Sequence, residues 1–179
     1  MLNNLLWYRI VVFNACIVAG LSWAFMQGHV QVLFANETTG IGYGMVVVFL
    51  VAMVGFVQRV RKTSAALNEV KLGNWVDVRK FKIKNTFVAA VSVWLVTLGL
   101  IGNITGFAQA VEGLNLSGGS DAAMHAISQM IDGMKVAFYT TLIGTGLGLW
   151  LAVNGHILRT ATALLHIDAD ALKGRMYIK

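Results

Sequence analysis

Two apolar segments decide the fold of this chain: Gly99-Leu100-Ile101-Gly102-Asn103-Ile104-Thr105-Gly106-Phe107 and Ala137-Phe138-Tyr139-Thr140-Thr141-Leu142-Ile143-Gly144. They belong to longer apolar runs, residues 86–110 and 134–158. About 20 apolar helical residues cross a bilayer core, so each run can span a membrane. Neither run contains Asp or Glu, yet both carry hydroxyl or amide side chains. The pair therefore predicts two membrane-spanning helices with polar faces.

The composition places the whole chain in a membrane. Of its 179 residues, 57% are hydrophobic and only 12% are charged, about half the charge of a typical soluble domain. Two further apolar runs cover residues 8–26 and 40–57. We therefore expect an all-α polytopic membrane protein with four transmembrane helices, forming one membrane domain over residues 1–179. Cys16 is the only cysteine, so an internal disulfide is excluded.

The connecting segments differ in charge. Residues 58–85 carry eight Lys or Arg side chains against two acidic ones, whereas residues 111–133 carry three acidic side chains and no Lys or Arg. Basic residues are retained on the cytoplasmic side of a membrane. This bias predicts a basic cytoplasmic loop at 58–85, a cytoplasmic tail at 159–179, a cytoplasmic N-terminus, and an outer loop at 111–133.

Shorter elements are expected between and beyond the spans. Residues 27–39 read as a short loop, and residues 63–72 and 121–130 as short separate helices. Apolar residues continue at helical spacing after Leu158, which predicts that the fourth helix extends beyond the membrane.

Small and polar residues recur on one face of each of the last two predicted helices. On the third helix they are Ser92, Gly99, Asn103, Gly106 and Ala110, and on the fourth Ala137, Thr141, Thr145, Gly148 and Ala152. Asn103 comes late on an outward helix and Thr141 early on an inward one, so both should lie at similar depth. The candidate ion-pathway residues are Asn103, Thr141, Thr145, Gly99, Gly106, Ala137 and Thr140.

Helix packing is the alternative explanation of these faces. Small residues spaced four apart, as in Gly102/Gly106 and Gly144/Gly148, let membrane helices approach closely. A threonine hydroxyl can bond to its own backbone one turn earlier. Asn103 is harder to explain by packing, because a primary amide without a partner is costly in hydrocarbon.

Catalysis is not indicated by the side chains of the predicted spans. They hold no carboxylate pair and no nucleophile–base arrangement, and the four histidines lack the spacing of metal ligands. We therefore expect neither an enzyme nor a cofactor. The basic segment lacks the stacking aromatics of single-strand binders, which argues against nucleic acid. Proton relays use Asp, Glu or His inside the membrane, so an acid on this path would have to come from another subunit.

The two quoted segments resemble the MotA/TolQ/ExbB proton-channel family of stator and energiser proteins. Residues 99–106 are similar to that family's Gly-Leu-x-Gly-Thr-Val-x-Gly stretch, and residues 137–144 to its Ala-Leu-x-x-Thr-x-x-Gly stretch. The likeness covers about residues 86 to 160. It implies a homopentameric ring in the bacterial inner membrane, with the last two helices facing a central pore.

The resemblance also implies a mechanism and a partner. A MotB/ExbD/TolR-like protein with a single transmembrane helix would place an Asp in the pore, and passage of protons or Na⁺ would drive rotation of this motor protein. Thr141 matches the family's pore threonine, whereas Asn103 stands where the family usually has threonine. Val136 stands where some members have an acid, and the inner loop is far shorter than in the flagellar branch. The alternative is an oligomeric scaffold or a passive holin-like pore that needs no partner.

Overall fold

The computed structural model describes residues 3–74, 76, 79–112 and 119–177. Within these ranges the chain forms five helices: α1 (Asn3–Met26), α2 (His29–Ala35), α3 (Ile41–Lys71), α4 (Arg79–Glu112) and α5 (Gly119–Tyr177). Four of them, α1, α3, α4 and α5, are long and apolar enough to cross a membrane. The prediction of an all-α protein with four potential membrane spans is confirmed for the described residues.

Three helices continue well beyond their predicted ends. The segment 58–85 is not a simple loop, because α3 runs on to Lys71 and α4 already begins at Arg79. Residues 63–71 are therefore the last turns of α3 rather than a separate helix. Good helix formers are frequent in residues 63–71, which include Ala65, Ala66, Leu67, Glu69 and Lys71, and no proline interrupts the segment.

The longest helix joins three segments that had been predicted separately. α5 has 59 residues and contains the predicted outer helix, the fourth span and most of the tail. At 1.5 Å per residue it is roughly 88 Å long, against a bilayer core of about 30 Å. The prediction that this helix continues past Leu158 is confirmed, whereas the helix expected at 121–130 is not a separate element but the beginning of α5.

The connection after α1 is also more ordered than predicted. Residues 27–39 contain the short helix α2, which the sequence reading had missed. Gly28 and Gly40 precede α2 and α3 with φ angles of 82° and 74°. Glycine adopts this left-handed conformation without steric cost, so the chain turns sharply at both positions.

The main core lies where α3, α4 and α5 meet. Buried residues recur every three or four positions along α3, from Met45 through Phe49, Ala52 and Phe56 to Val60. They pack against Val88, Val91 and Leu95 of α4 and Ile143, Leu151 and Leu158 of α5. A second cluster joins Ala66 and Val70 to Leu165 and Ala169, so α3 and α5 remain packed together beyond their most apolar segments.

Candidate functional site

Helices α4 and α5 touch through their backbones along a seam of small residues. A Cβ atom added to Gly106 would lie 2.4 Å from the backbone nitrogen of Ala137. One added to Gly144 would lie 2.7 Å from the Cα atom of Gly99. Because side-chain atoms cannot approach so closely, only glycine fits at these positions. The seam brings together most of the two faces that the sequence analysis singled out.

Thr140 is enclosed in this seam. Its side chain is fully buried, and its hydroxyl lies 2.9 Å from the carbonyl oxygen of Val136 and 3.1 Å from that of Ala137. A Cβ atom at Gly102 would lie 2.6 Å from the Cβ atom of Thr140, so Gly102 provides the space for this threonine. Within one chain, Thr140 therefore packs between α4 and α5, and its hydroxyl hydrogen-bonds to the backbone of its own helix.

The candidate pathway residues thus divide into two groups. Four are buried between the helices of one chain: Gly99, Gly106, Ala137 and Thr140. Asn103 and Thr141 are half-buried at the edge of the seam, and Thr145 is exposed one turn further along α5. Lining of a pore by any of the seven stays a prediction.

A hydrogen bond joins Asn103 and Thr141 across the two helices. The Asn103 amide donates from Nδ2 to the Thr141 hydroxyl oxygen at 3.0 Å. That hydroxyl in turn donates to the carbonyl oxygen of Ala137 at 2.9 Å. The contact confirms that the two side chains lie at the same level. It leaves the second amide proton and the Oδ1 oxygen of Asn103 able to bond elsewhere.

Exposed apolar side chains surround this polar edge. They are Leu100, Ile104 and Phe107 on α4 and Phe138, Leu142 and Leu149 on α5. The Thr145 hydroxyl donates to the carbonyl oxygen of Thr141 at 2.7 Å, which extends the line of polar groups by one turn. The core residues that contact α3, such as Leu95 and Ile143, occupy other positions of the two helices. A narrow polar line therefore lies on an otherwise apolar exposed surface.

A second polar contact, which the sequence analysis missed, attaches α1. Asn14 and Asn154 exchange amide hydrogen bonds of 2.8 and 3.1 Å, and the Trp150 indole donates to Asn14 Oδ1 at 2.7 Å. Ile10 is the only buried residue among the α1 side chains that the structure describes. The signal that could have revealed the contact was one asparagine in each of two apolar runs, since unpaired amides are costly there.

The acidic end of the bundle contains a cavity of about 530 Å³. Its lining comes from the end of α2, the α2–α3 connection, the end of α4 and the first half of α5: Ala35, Asn36, Thr38, Gln109, Glu112, Gln129, Asp132, Gly133, Lys135 and Val136. Lys135 and Asp132 form an exposed ion pair at 2.8 Å. Among the described residues, no three His, Cys, Asp or Glu side chains are grouped so as to hold a metal ion.

Comparison of the chain with protein-family models, with curated proteins and with solved structures found no match. The resemblance to the MotA/TolQ/ExbB family therefore rests on the residue patterns within α4 and α5. Its function is therefore inferred from three features: the four potential spans, the glycine seam, and the polar line beside that seam.

Proposed function

We propose that this chain is a ring-forming subunit of an ion-motive-force-driven motor of the MotA/TolQ/ExbB type. In this proposal a homopentamer places α4 and α5 around a central pore, and the pore holds transmembrane helices of a MotB/ExbD/TolR-like partner. An Asp of the partner carries the proton. Ion passage turns the ring relative to the partner and transmits force to the structure to which either is attached.

The observation that carries the proposal is the half-exposed Asn103–Thr141 pair on the surface of two candidate membrane spans. A polar group at membrane depth costs several kcal/mol unless it meets a partner or water. Asn103 has one amide proton and one acceptor oxygen beyond its bond to Thr141. Both can hydrogen-bond to a carboxylic acid that moves past, whereas a lipid chain satisfies neither.

The charge distribution supports a borrowed acid. The apolar runs 8–26, 40–57, 86–110 and 134–158 contain no Asp or Glu. Proton relays through membranes use ionisable side chains, which these runs do not provide along the proposed pore. A polar wall that lacks its own acid is suited to surround one that another protein supplies.

The charge bias also sets the orientation in this proposal. The end of the bundle that carries Arg61, Lys62, Lys71 and Arg159 faces the cytoplasm of a bacterial inner membrane. The N- and C-termini then lie inside, and the paired ends of α3 and α5 project into the cytoplasm. This projection is a suitable place for the ring to transmit force to a cytoplasmic component.

Two measurements test the proposal: the number of copies in the assembly, and the effect on activity of removing the Thr141 hydroxyl. Native mass spectrometry of the purified chain should give five copies. Thr141→Val should abolish ion-driven activity in cells without changing the assembly. Thr97→Val is the matched control, because Thr97 is exposed on α4 and its hydroxyl also bonds to its own backbone. Normal activity of Thr141→Val, or a monomeric chain, contradicts the proposal.

One observation favours a second candidate, a passive scaffold or holin-like pore. Gly99, Gly106, Ala137 and Thr140 are fully occupied by packing α4 against α5 within one chain. If packing is their whole purpose, Asn103→Leu and Thr141→Val should be tolerated or should stabilise the protein. Function in the absence of any acid-bearing partner would then select the scaffold.

A further inference from the structure

Glu37 is a buried carboxylate that the proposed motor does not use. It lies in the connection between α2 and α3, and its side chain is only 4% exposed. The Thr39 hydroxyl donates to Oε1, and Thr39 also accepts from the backbone N–H of Ile41 at 3.3 Å. Oε2 is buried and has no hydrogen-bond partner. A carboxylate oxygen left in this condition is strongly destabilised while it carries charge.

The surroundings of Glu37 belong to the spanning part of the bundle. A Cβ atom added to Gly42 would lie 3.0 Å from Glu37 Oε2 and 2.9 Å from Cδ1 of Ile143. The Glu37 carboxylate and the Ile143 Cδ1 methyl therefore both lie close to Gly42 of α3. Ile143 follows Lys135 by eight residues on α5, a rise of about 12 Å into the apolar run.

The two residues next to Glu37 in the sequence border the cavity at the acidic end. Asn36 and Thr38 line the cavity of about 530 Å³ at the acidic end. Glu37, between them in sequence, is not part of that lining. Glu112, Asp132 and Lys135 are the ionisable residues that line the cavity, and Asp121 and His125 lie further toward the beginning of α5. Gly42 and Ile143, which lie directly against the carboxylate, are not ionisable.

We propose that Glu37 is a proton-binding site of this chain, loaded and emptied through the cavity at the acidic end. A proton on Oε2 removes the charge from the oxygen that has no partner, while Thr39 continues to donate to Oε1. A metal cation fits less well, because Na⁺ or Ca²⁺ needs several oxygen ligands and Thr39 supplies the one side-chain oxygen bonded to Glu37. Release of the proton requires the Thr38–Gly40 turn to open toward the cavity.

The experiment is carbodiimide labelling of the full-length chain in lipid vesicles. Dicyclohexylcarbodiimide enters from the apolar phase and reacts with protonated carboxyl groups. Peptide mass mapping should find the label on Glu37 and many times less on Glu112, which is exposed. The label on Glu37 should decrease as the pH is raised.

Two results would overturn the site. They are labelling of Glu112 or Asp132 in preference to Glu37, and labelling of Glu37 that does not depend on pH. The measurement on the wild-type chain needs neither a ring nor a partner. If the motor proposal fails, the labelling test can still be carried out and interpreted. If Glu37 is not labelled, the motor proposal is unaffected.

Discussion

Asn14 on α1 and Asn154 on α5 satisfy each other across 140 residues of sequence. Asn14 Nδ2 donates to Asn154 Oδ1 at 2.8 Å, and Asn154 Nδ2 donates back to Asn14 Oδ1 at 3.1 Å. The remaining amide protons bond to the carbonyl oxygens of Ile10 and Trp150. α1 buries little else, so this reciprocal pair fixes where α1 meets the bundle.

Replacing either asparagine should therefore loosen α1. We expect Asn14→Leu and Asn154→Leu each to lower the unfolding free energy by about 1–2 kcal/mol, because each leaves an amide unpaired in an apolar setting. The double variant should lose less than the sum of the two. Equilibrium unfolding in mixed micelles measures the cycle. Ser22→Ala is the control, since Ser22 is exposed and bonds only to its own helix. Additive losses would show that the two amides are not coupled.

The glycine seam gives a second prediction, with its control on the same helix. Gly144→Ala places a methyl group 2.7 Å from the Gly99 Cα atom and from the Leu95 carbonyl oxygen. The helices must move apart, which we expect to cost about 1–3 kcal/mol. Gly146→Ala meets nothing within 4 Å, so it should be neutral or stabilise α5 by up to about 1 kcal/mol. Thermal unfolding of the two variants in one detergent compares them, and equal effects would refute the close contact.

These contacts show which parts of the fold the sequence could predict. Apolar run length predicted the four spans, because the width of a bilayer sets a minimum length that is easy to recognise. Helical spacing placed Asn103 and Thr141 at one level, and their hydrogen bond confirms it. Periodicity reports which face of a helix is distinctive, but it does not report which helix covers that face. The Asn14–Asn154 pair depends on the packing of α1 against α5, so it could not be derived from either run alone.

Other features could not be predicted because they arise from contacts between segments that are distant in the sequence. Glu37 lies in a segment that was predicted to be a short loop, and its burial arises only when the connection between α2 and α3 packs close to Gly42 and Ile143. The polar residues after residue 57 suggested a loop, yet burial every three or four residues continues through Thr63, Ala66 and Val70. Charge marks where the apolar span ends, whereas α3 continues because its buried stripe still has α5 to pack against.

That extension gives a third prediction. Leu165 is fully buried between α3 and α5, whereas its neighbour Leu164 is 55% exposed. Leu165→Ala should cost about 2–5 kcal/mol of local stability by leaving a cavity, and Leu164→Ala should cost far less. Hydrogen exchange of the backbone amides in residues 63–71 and 160–172 measures the effect. Unchanged protection in Leu165→Ala would indicate that the paired extension is not held by this cluster.

The proposed pore gives a last prediction, based on water access at matched depth. Contacts between Phe49 and Trp150 and between Gly42 and Ile143 show that α3 and α5 run side by side. In this alignment Val47 lies level with residue 148, about 4.5 Å along the axis from Thr145, and Val47 and Thr145 are both exposed in one chain. If α4 and α5 line a hydrated path, a cysteine at 145 becomes a thiolate that reacts with a charged methanethiosulfonate. A cysteine at 47, facing lipid, stays unreactive.

The measurement uses a Cys16→Ser background, since Cys16 is the only native thiol and is exposed. Cells or vesicles carrying Thr145→Cys or Val47→Cys are treated with the charged reagent, and modification is read by mass spectrometry. The motor proposal requires rapid labelling at 145 and slow labelling at 47. Equal and slow labelling at both positions would place the Asn103–Thr141 edge against lipid, and a central conduit lined by α4 and α5 would then be excluded.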